Sequence, residues 1–368
     1  MIKDIDPYDK TGVDYKQIDP AKIDFQKAAL TTSKNMNRFG FEEISGSRGE
    51  SAFVWKEGES YRAMVIEGLG TKIIVAEEMR KLTGKNYYRE TGQDTLAMVT
   101  NDLSAMGASP LVVMAYFGTG LSSWFSDVER RRALAEGFAG ACNLVGATWG
   151  GGESPSLKSI IYPDTADLIG SAVGIIKSEQ ELISSDKIKS GDAIVMIESS
   201  GIHANGSTSA KEVADMLPNG FLTILPNGES FGEVLLTPTH LYTKLIEDIF
   251  SYDISIHSIQ NITGHGIRKL MRPERDLTYI LNKISKPHDE FLLIQETKNA
   301  SDKYMYSNFN MGMGYAIIVD QKDIDRVINI ATANGYSSWN AGVIKEGEKK
   351  IVIESIDVEF TERDLEIR

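Results

Sequence analysis

Between residues 62 and 110 the chain carries a dense set of oxygen ligands with one cation among them. Glu67 closes the apolar run RAMVIE, the turn Gly68-Leu69-Gly70 follows, and Thr71-Lys72 opens the segment IIVAEEM. Further on, TGQDTLAMVTNDLSAMGASP holds Asp94, Asn101 and Asp102. Asp94 and Asn101 are seven residues apart, nearly the same angle on a helix, and Asp102 is the next residue round. Hard oxygen ligands of this kind suit magnesium, and an ammonium beside them suits a nucleotide polyphosphate.

Specific elements must hold these groups. Glu67 needs the end of a strand. Lys72 needs the start of a helix, with Ile73, Ile74, Ala76 and Met79 along one side. Backbone N–H groups at such a helix start favour anions. A second helix is expected from about Thr91, since Leu96, Val99, Leu103 and Met106 recur at spacings of three and four. Taken singly, the Gly-Leu-Gly-Thr-Lys segment reads as a tight turn with a solvated lysine, and each acid as part of a solvent face.

The rest of the first half alternates strand and helix. LVVMAYFGTG after Pro110 reads as a buried strand, and Ser126-Asp127-Val128-Glu129 as a capping box before a helix to about Val145. GATWGGGES is a strand running into Gly150-Gly151-Gly152 and Glu153, and residues 167–177 form another strand. A polar stretch then divides the chain into domains 1–178 and 179–368. In the second half, strands are expected at 191–201, from Ile254 to the turn at Gly264–Gly266, and at 277–283, 314–319, 338–344 and 350–354. Helices are expected at 207–217, 239–250 and 323–334. The fold class is mixed α/β, with two domains, each a mixed sheet flanked by helices. Residues 1–37 read as a polar arm entering a short helix near Pro20.

Three glycine-rich segments of the second half add chemistry. SSGIHANG (199–206) lies between a strand and a helix and offers His203, which titrates near neutrality, and Asn205. Thr263-Gly264-His265-Gly266 reads as a phosphate-binding nest in which His265 takes positive φ or adds a contact, or as a simple left-handed turn. In NFNMGMG, Met311 and Met313 read as packing. Leu236-Thr237-Pro238-Thr239 reads as a capped helix start, Arg130–Arg132 as a solvated face, and Cys142 as a small buried hydrophobe.

Composition narrows the function class. The chain has 368 residues, 42% hydrophobic, enough to bury two real cores. A net charge of −13 argues against non-specific nucleic-acid binding, which depends on cationic neutralisation of phosphates. A single cysteine excludes an internal disulfide. No run has the length of a membrane span and MIKDIDPYDK lacks the apolar core of a leader, so a cytoplasmic protein is expected.

The ordered set EGLGTK, NDL, GGE, SSGIHANG, LTPT, TGHG and FNMGMG resembles the phosphoribosylformylglycinamidine cyclo-ligase (aminoimidazole ribonucleotide synthetase) family, from about Gly12 to Ile353. The family carries Asp at Glu67, a glycine-rich GG-GFG turn where this chain has SGSRGESAFVW, AEMPGMY where it has SPSLKSIIYPD, and glycine at His265. The resemblance implies ATP and Mg²⁺ as cofactors. It also implies ring closure of formylglycinamidine ribonucleotide to aminoimidazole ribonucleotide with release of ADP and phosphate. ATP phosphorylates the formyl amide oxygen, and the amidine nitrogen then closes the ring. On this reading Glu67, Asp102 and Glu153 hold Mg²⁺. Lys72 and Asn101 contact the phosphates, with Gly68, Gly70, Thr71, Gly151 and Gly152 around the nucleotide. Asp94 orients nucleotide or substrate, while His203, Asn205, Thr263 and Gly264 hold the substrate phosphate or the reacting amide. A homodimer is implied as well. Two other readings stay open: a sister ATP-dependent kinase or synthetase, and a nucleotide-binding paralogue without turnover.

Overall fold

The structure, a computed structural model, describes residues 15–365, with side chains from residue 20. The segment at Gly12–Asp14 therefore lies outside the described residues. A helix α1 (Tyr15–Leu30) comes first, with Pro20 inside it rather than at its start. The strands of the first half are β1 (Glu42–Glu43), β2 (Phe53–Glu57), β3 (Ser60–Gly68), β4 (Ser109–Thr119), β5 (Thr148–Glu153) and β6 (Ala166–Ile176). Their order is β1-β2-β3-β6-β4-β5, with only β4 and β5 parallel.

Three helices go with this sheet: α2 (Lys72–Thr83), α3 (Tyr88–Ala105) and α4 (Val128–Val145). Along β6 the side chains alternate strictly between buried and half-buried, as expected of a sheet covered on one face. The covering layer is α3, backed by α4. The two helices cross closely at Gly137, where an added Cβ would stand 2.0 Å from the Arg89 carbonyl oxygen. Helix α3 begins at Tyr88, one turn earlier than its apolar spacing predicts, and α4 is capped by Asp127, which accepts from Arg130 N–H, rather than by Ser126.

The second half contains β7 (Ala193–Glu198), α5 (Ser207–Met216), α6 (Phe231–Leu235), α7 (Thr243–Ser251), β8 (Ile256–Asn261), β9 (Leu277–Leu281), α8 (Asp289–Lys298), α9 (Asp302–Asn308), β10 (Met313–Val319), α10 (Ile324–Ala333), β11 (Ser338–Glu346), β12 (Lys350–Ile353) and β13 (Val358–Thr361). The sheet order is β13-β12-β9-β11-β7-β10-β8. Both faces of its centre are buried, so β7 and β10 read as continuous apolar runs. Helices α7 and α10 pack on one face and α5, α6, α8 and α9 on the other.

The two halves are welded, not merely tethered. Val75, Ala76 and Met79 of α2 belong to the core of the second half, while Ile73 belongs to that of the first. Helix α3 is buried along most of its circumference. Its polar side, which in sequence looks like a solvent face, is turned to the second half instead.

Candidate active site

The strand–turn–helix at Glu67–Lys72 forms as its sequence dictates: β3 runs out at Gly68, Gly70 takes φ +62°, and Leu69 anchors the turn in the core. Lys72, however, does not point outward. Its side chain is fully buried, and Nζ stands 2.8 Å from Asp94 Oδ2, a charge contact off the hydrogen-bond line. The same Nζ donates to the carbonyls of His203 (3.0 Å) and Thr237 (3.1 Å). Asp94 Oδ1 accepts from Thr239 N–H (2.8 Å) and Oγ1–H (2.5 Å).

Asn101 is consumed in the same way. Its Nδ2 donates to His240 O (2.8 Å), its Oδ1 accepts from Tyr242 N–H (3.0 Å), and its carbonyl accepts from the Tyr315 hydroxyl. Three expectations are corrected here. Lys72 and Asn101 do not face a phosphate, and Asp94 does not face a ligand; together they clamp the loop 237–242 of the second half onto α2 and α3. That loop is no helix start either: α7 begins at Thr243, and Thr239 serves Asp94.

Asp102, one residue beyond Asn101, behaves differently. Its Oδ1 accepts from Asn261 Nδ2 (2.8 Å). Glu67 stands near enough to feel its charge. Glu67 is open to solvent on one side but hemmed in on the others. Burial first, then Asp102, push its carboxyl up to about 6, against the pull of Lys269 and Arg272. Two carboxylates drawn together at a strand end and a helix face are a donor set that fits a divalent cation. Gly68 and Gly70 remain exposed beside them, and the Thr71 hydroxyl bonds that of Thr208 (2.6 Å).

The turn after β8 follows directly on Asn261, the partner of Asp102. Gly264 lies against Asn205: a Cβ built on the glycine would sit 3.3 Å from Asn205 Oδ1. Asn205 itself has no hydrogen-bond partner among the described residues, so its amide is available. His265 has φ −97°, and the positive φ falls on Gly266 (+53°), where a Cβ would meet the Tyr306 carbonyl at 2.1 Å. Burial and the neighbouring Lys269, Arg268, Arg272 and Lys22 push the His265 imidazole down to about 3, so it stands there neutral.

His203 is corrected too. It takes φ +60° and is buried, its Nε2 accepts from Ser200 N–H (3.1 Å), and burial followed by His240 holds it well below its ordinary value. A neutral imidazole whose Nε2 accepts from the backbone braces the loop 199–206.

Glu153 does not join the carboxylates. By register Glu67 pairs with Gly170, Gly170 with Ala115, and Ala115 with Gly152. Three interstrand steps of about 4.8 Å put β3 and β5 on the order of 14 Å apart. Glu153 also pairs with Tyr116, on the open face of the sheet, whereas Glu67 is on the same face of β3 as buried Tyr61 and Ala63, the helix-covered one. Gly152 lets β5 lie against β4, since a Cβ there would clash with Ala115 O at 1.7 Å, and Gly151 takes φ +134°. The glycine triplet is therefore a sheet-packing device, away from the Glu67–Asp102 pair.

Other features were not legible in advance. Arg130 is no solvated residue; it pairs with Glu77 (3.2 Å) and lies over the rings of Tyr88 and Trp124. Asp192, His257 and Asp320 form the one group of three potential metal-binding side chains among the described residues. It sits at the start of β7 and β8 and the end of β10, with Asp192 Oδ2 2.7 Å from His257 Nδ1 and Lys189 Nζ 2.7 Å from Asp320. Met311, Met313 and Cys142 are buried packing residues, as expected; burial pushes the Cys142 thiol up to about 11. A cavity of ≈ 380 Å³ is lined in part by Arg48, Glu50, Met106, Gln260 and Arg275.

Residues 49–176 match the family "AIR synthase related protein, N-terminal domain" and residues 189–354 the corresponding C-terminal domain family. The chain is 33% identical over 317 residues to the phosphoribosylformylglycinamidine cyclo-ligase of Methanocaldococcus jannaschii, covering 81% of this chain and 87% of that protein. It is 31% identical over 352 residues to the enzyme of the same name from Methanobrevibacter smithii, covering 93% and 95%. Among solved structures, the fold is similar to a chain of the HypE–HypF complex (TM-score 0.61, 16% identity, 90% of this chain and 98% of that one). It is likewise similar to AaThiL complexed with AMPPCP and TMP (TM-score 0.59, 12% identity, 85% and 90%). On the extent and identity of the sequence matches, the chain belongs to the phosphoribosylformylglycinamidine cyclo-ligase family.

Proposed function

We propose that this chain is an ATP-dependent cyclo-ligase that converts formylglycinamidine ribonucleotide to 5-aminoimidazole ribonucleotide, releasing ADP and phosphate, as a cytoplasmic enzyme. The observation that carries the reading is the pairing of Glu67 with Asp102 opposite Asn205, Thr263 and Gly264, one set from each half, where the boundary is drawn near residue 178. Glu67 and Asp102 would hold Mg²⁺, which neutralises phosphate charge when bound. Asn261 fixes Asp102 so that its second oxygen stays free. Asn205 and the backbone of Thr263–Gly264 offer donors to a phosphate or to the reacting amide. Catalysis then rests on positioning and on charge placed in advance.

The reading includes a homodimer. The face of the first sheet away from α3 is apolar and exposed, with Met64 at 46%, Ile66 at 67%, Val112 at 42% and Met114 at 45% exposure. A contiguous apolar sheet face of this kind suits burial against a second copy. Ile66→Asp should convert the dimer to monomer in sedimentation; an unchanged mass would remove this face from the interface.

The activity test is one incubation with formylglycinamidine ribonucleotide, ATP and Mg²⁺. Equimolar ADP and imidazole product supports the reading. ADP without imidazole points to a sister kinase or synthetase, and neither product to a binding paralogue.

A further inference from the structure

Lys269 was singled out by no motif, yet it is the most anomalous charge in the described residues. It lies in the 3₁₀ segment Gly266–Met271 and is only 4% exposed. Its backbone carbonyl accepts from Arg272 N–H (3.1 Å), but its ammonium makes no hydrogen bond or ion pair with any described residue. Arg272, three residues on, is half-buried, and its guanidinium likewise has no partner among the described residues. In a 3₁₀ segment residues i and i+3 eclipse, which sets the two cations side by side.

The groups facing Lys269 are Arg272, Asp102, Glu67 and Glu50. Burial and Arg272 push its ammonium down to about 7 against the pull of those three carboxylates. Glu67 and Asp102 nevertheless form no ion pair with either cation, although both cations influence Glu67. Opposite charges within reach normally collapse into ion pairs, because a buried charge without a partner is costly. Here two carboxylates and two cations are held close and apart, nearly neutral in sum. The carboxylates are left for a divalent cation and the ammonium and guanidinium for anionic oxygens.

We propose that Lys269 and Arg272 form a phosphoryl-binding subsite, facing the Glu67–Asp102 pair and flanked by Thr263–Gly264. Guanidinium and ammonium together match a phosphoryl group: Arg272 supplies a planar fork and Lys269 a point charge. Two phosphates of the proposed reaction carry this chemistry, the terminal phosphates of ATP and the 5′-phosphate of the ribonucleotide. The proposal rests on the cyclo-ligase reading for the identity of those two ligands.

The test titrates wild type, Lys269→Met, Arg272→Gln and the charge-preserving Lys269→Arg with Mg·ADP and, separately, with formylglycinamidine ribonucleotide, by calorimetry. A rise in Kd of about tenfold or more for Mg·ADP alone in Lys269→Met and Arg272→Gln, with Lys269→Arg near wild type, assigns the subsite to the nucleotide. The same rise for the ribonucleotide alone assigns it to the substrate phosphate. Unchanged affinity for both ligands in folded variants overturns the proposal. If Lys269→Met does not fold, Arg272→Gln and Lys269→Arg decide by the same criterion. Wild-type turnover is measured separately: a wild type that binds Mg·ADP but forms no imidazole refutes the cyclo-ligase reading while leaving the subsite standing.

Discussion

Two charge clusters that both draw on the segment from Glu67 to Asp102 have opposite fates. Lys72 and Asp94 are fully buried, with partners for the ammonium and for Oδ1 supplied by the loop 237–242 and by His203. Glu67, Asp102, Lys269 and Arg272 crowd one another without pairing. A satisfied cluster stabilises one arrangement of the two halves; an unsatisfied one is held ready for a ligand. Residue type and spacing did not distinguish them, because Asp94, Asn101 and Asp102 share one helix. What distinguishes them is which part of the second half each one meets.

Breaking the satisfied cluster should give the largest loss of stability. Lys72→Met leaves Asp94 buried without its ammonium and should cost about 3–5 kcal/mol, read by urea denaturation, with Lys72→Met/Asp94→Leu recovering part of it. A Lys72→Met protein as stable as wild type but weak in ATP binding would reverse the assignment. Thr239→Val removes one charge-assisted hydrogen bond and should cost about 1.5–3 kcal/mol, with little change in KM.

The open cluster should respond to pH instead. Glu67 is pushed up to about 6, so its carboxylate form, which a metal needs, is lost as pH falls through that value. In the ligand-free protein the sign for stability is the reverse: a carboxyl raised on folding binds its proton more tightly when folded, so its contribution is present at low pH and fades as pH rises through about 6. Mg²⁺ affinity should therefore weaken below pH 6 while Glu67 itself does not weaken the fold there, and Glu67→Gln should flatten that limb of the Mg²⁺ titration.

Much of the architecture was legible because its periodicities were clean. The strands near 62–67, 110–119, 167–177 and 314–319 and the helix at 323–334 lie within a few residues of their expected positions. Strand β13 and helices α8 and α9 were not anticipated, since they are short and carry weak apolar repeats. At the site, Glu67, Asp102, Asn205, Thr263 and Gly264 come to one region. Lys72, Asp94 and Asn101 became clamps, because their hydrogen-bond partners lie more than a hundred residues away, and His203 braces its own loop through Ser200. Glu153 was misplaced because strand order and sheet face decide its position, and neither is written locally. Lys269 and Arg272 were missed because a basic run such as RKLMR reads as a solvated face; only the fold shows that the side chains of these two cations lack partners among the described residues.

The most direct measurement compares Asp102→Asn with Asp94→Asn, following unfolding and steady-state turnover on the same preparations. Asp102→Asn keeps the acceptor for Asn261, so it should unfold as wild type does while turnover falls by about 10²–10³-fold or more, the scale of losing a preorganised charge. Asp94→Asn should show its primary loss in stability. An Asp102→Asn enzyme that turns over near the wild-type rate would contradict the account.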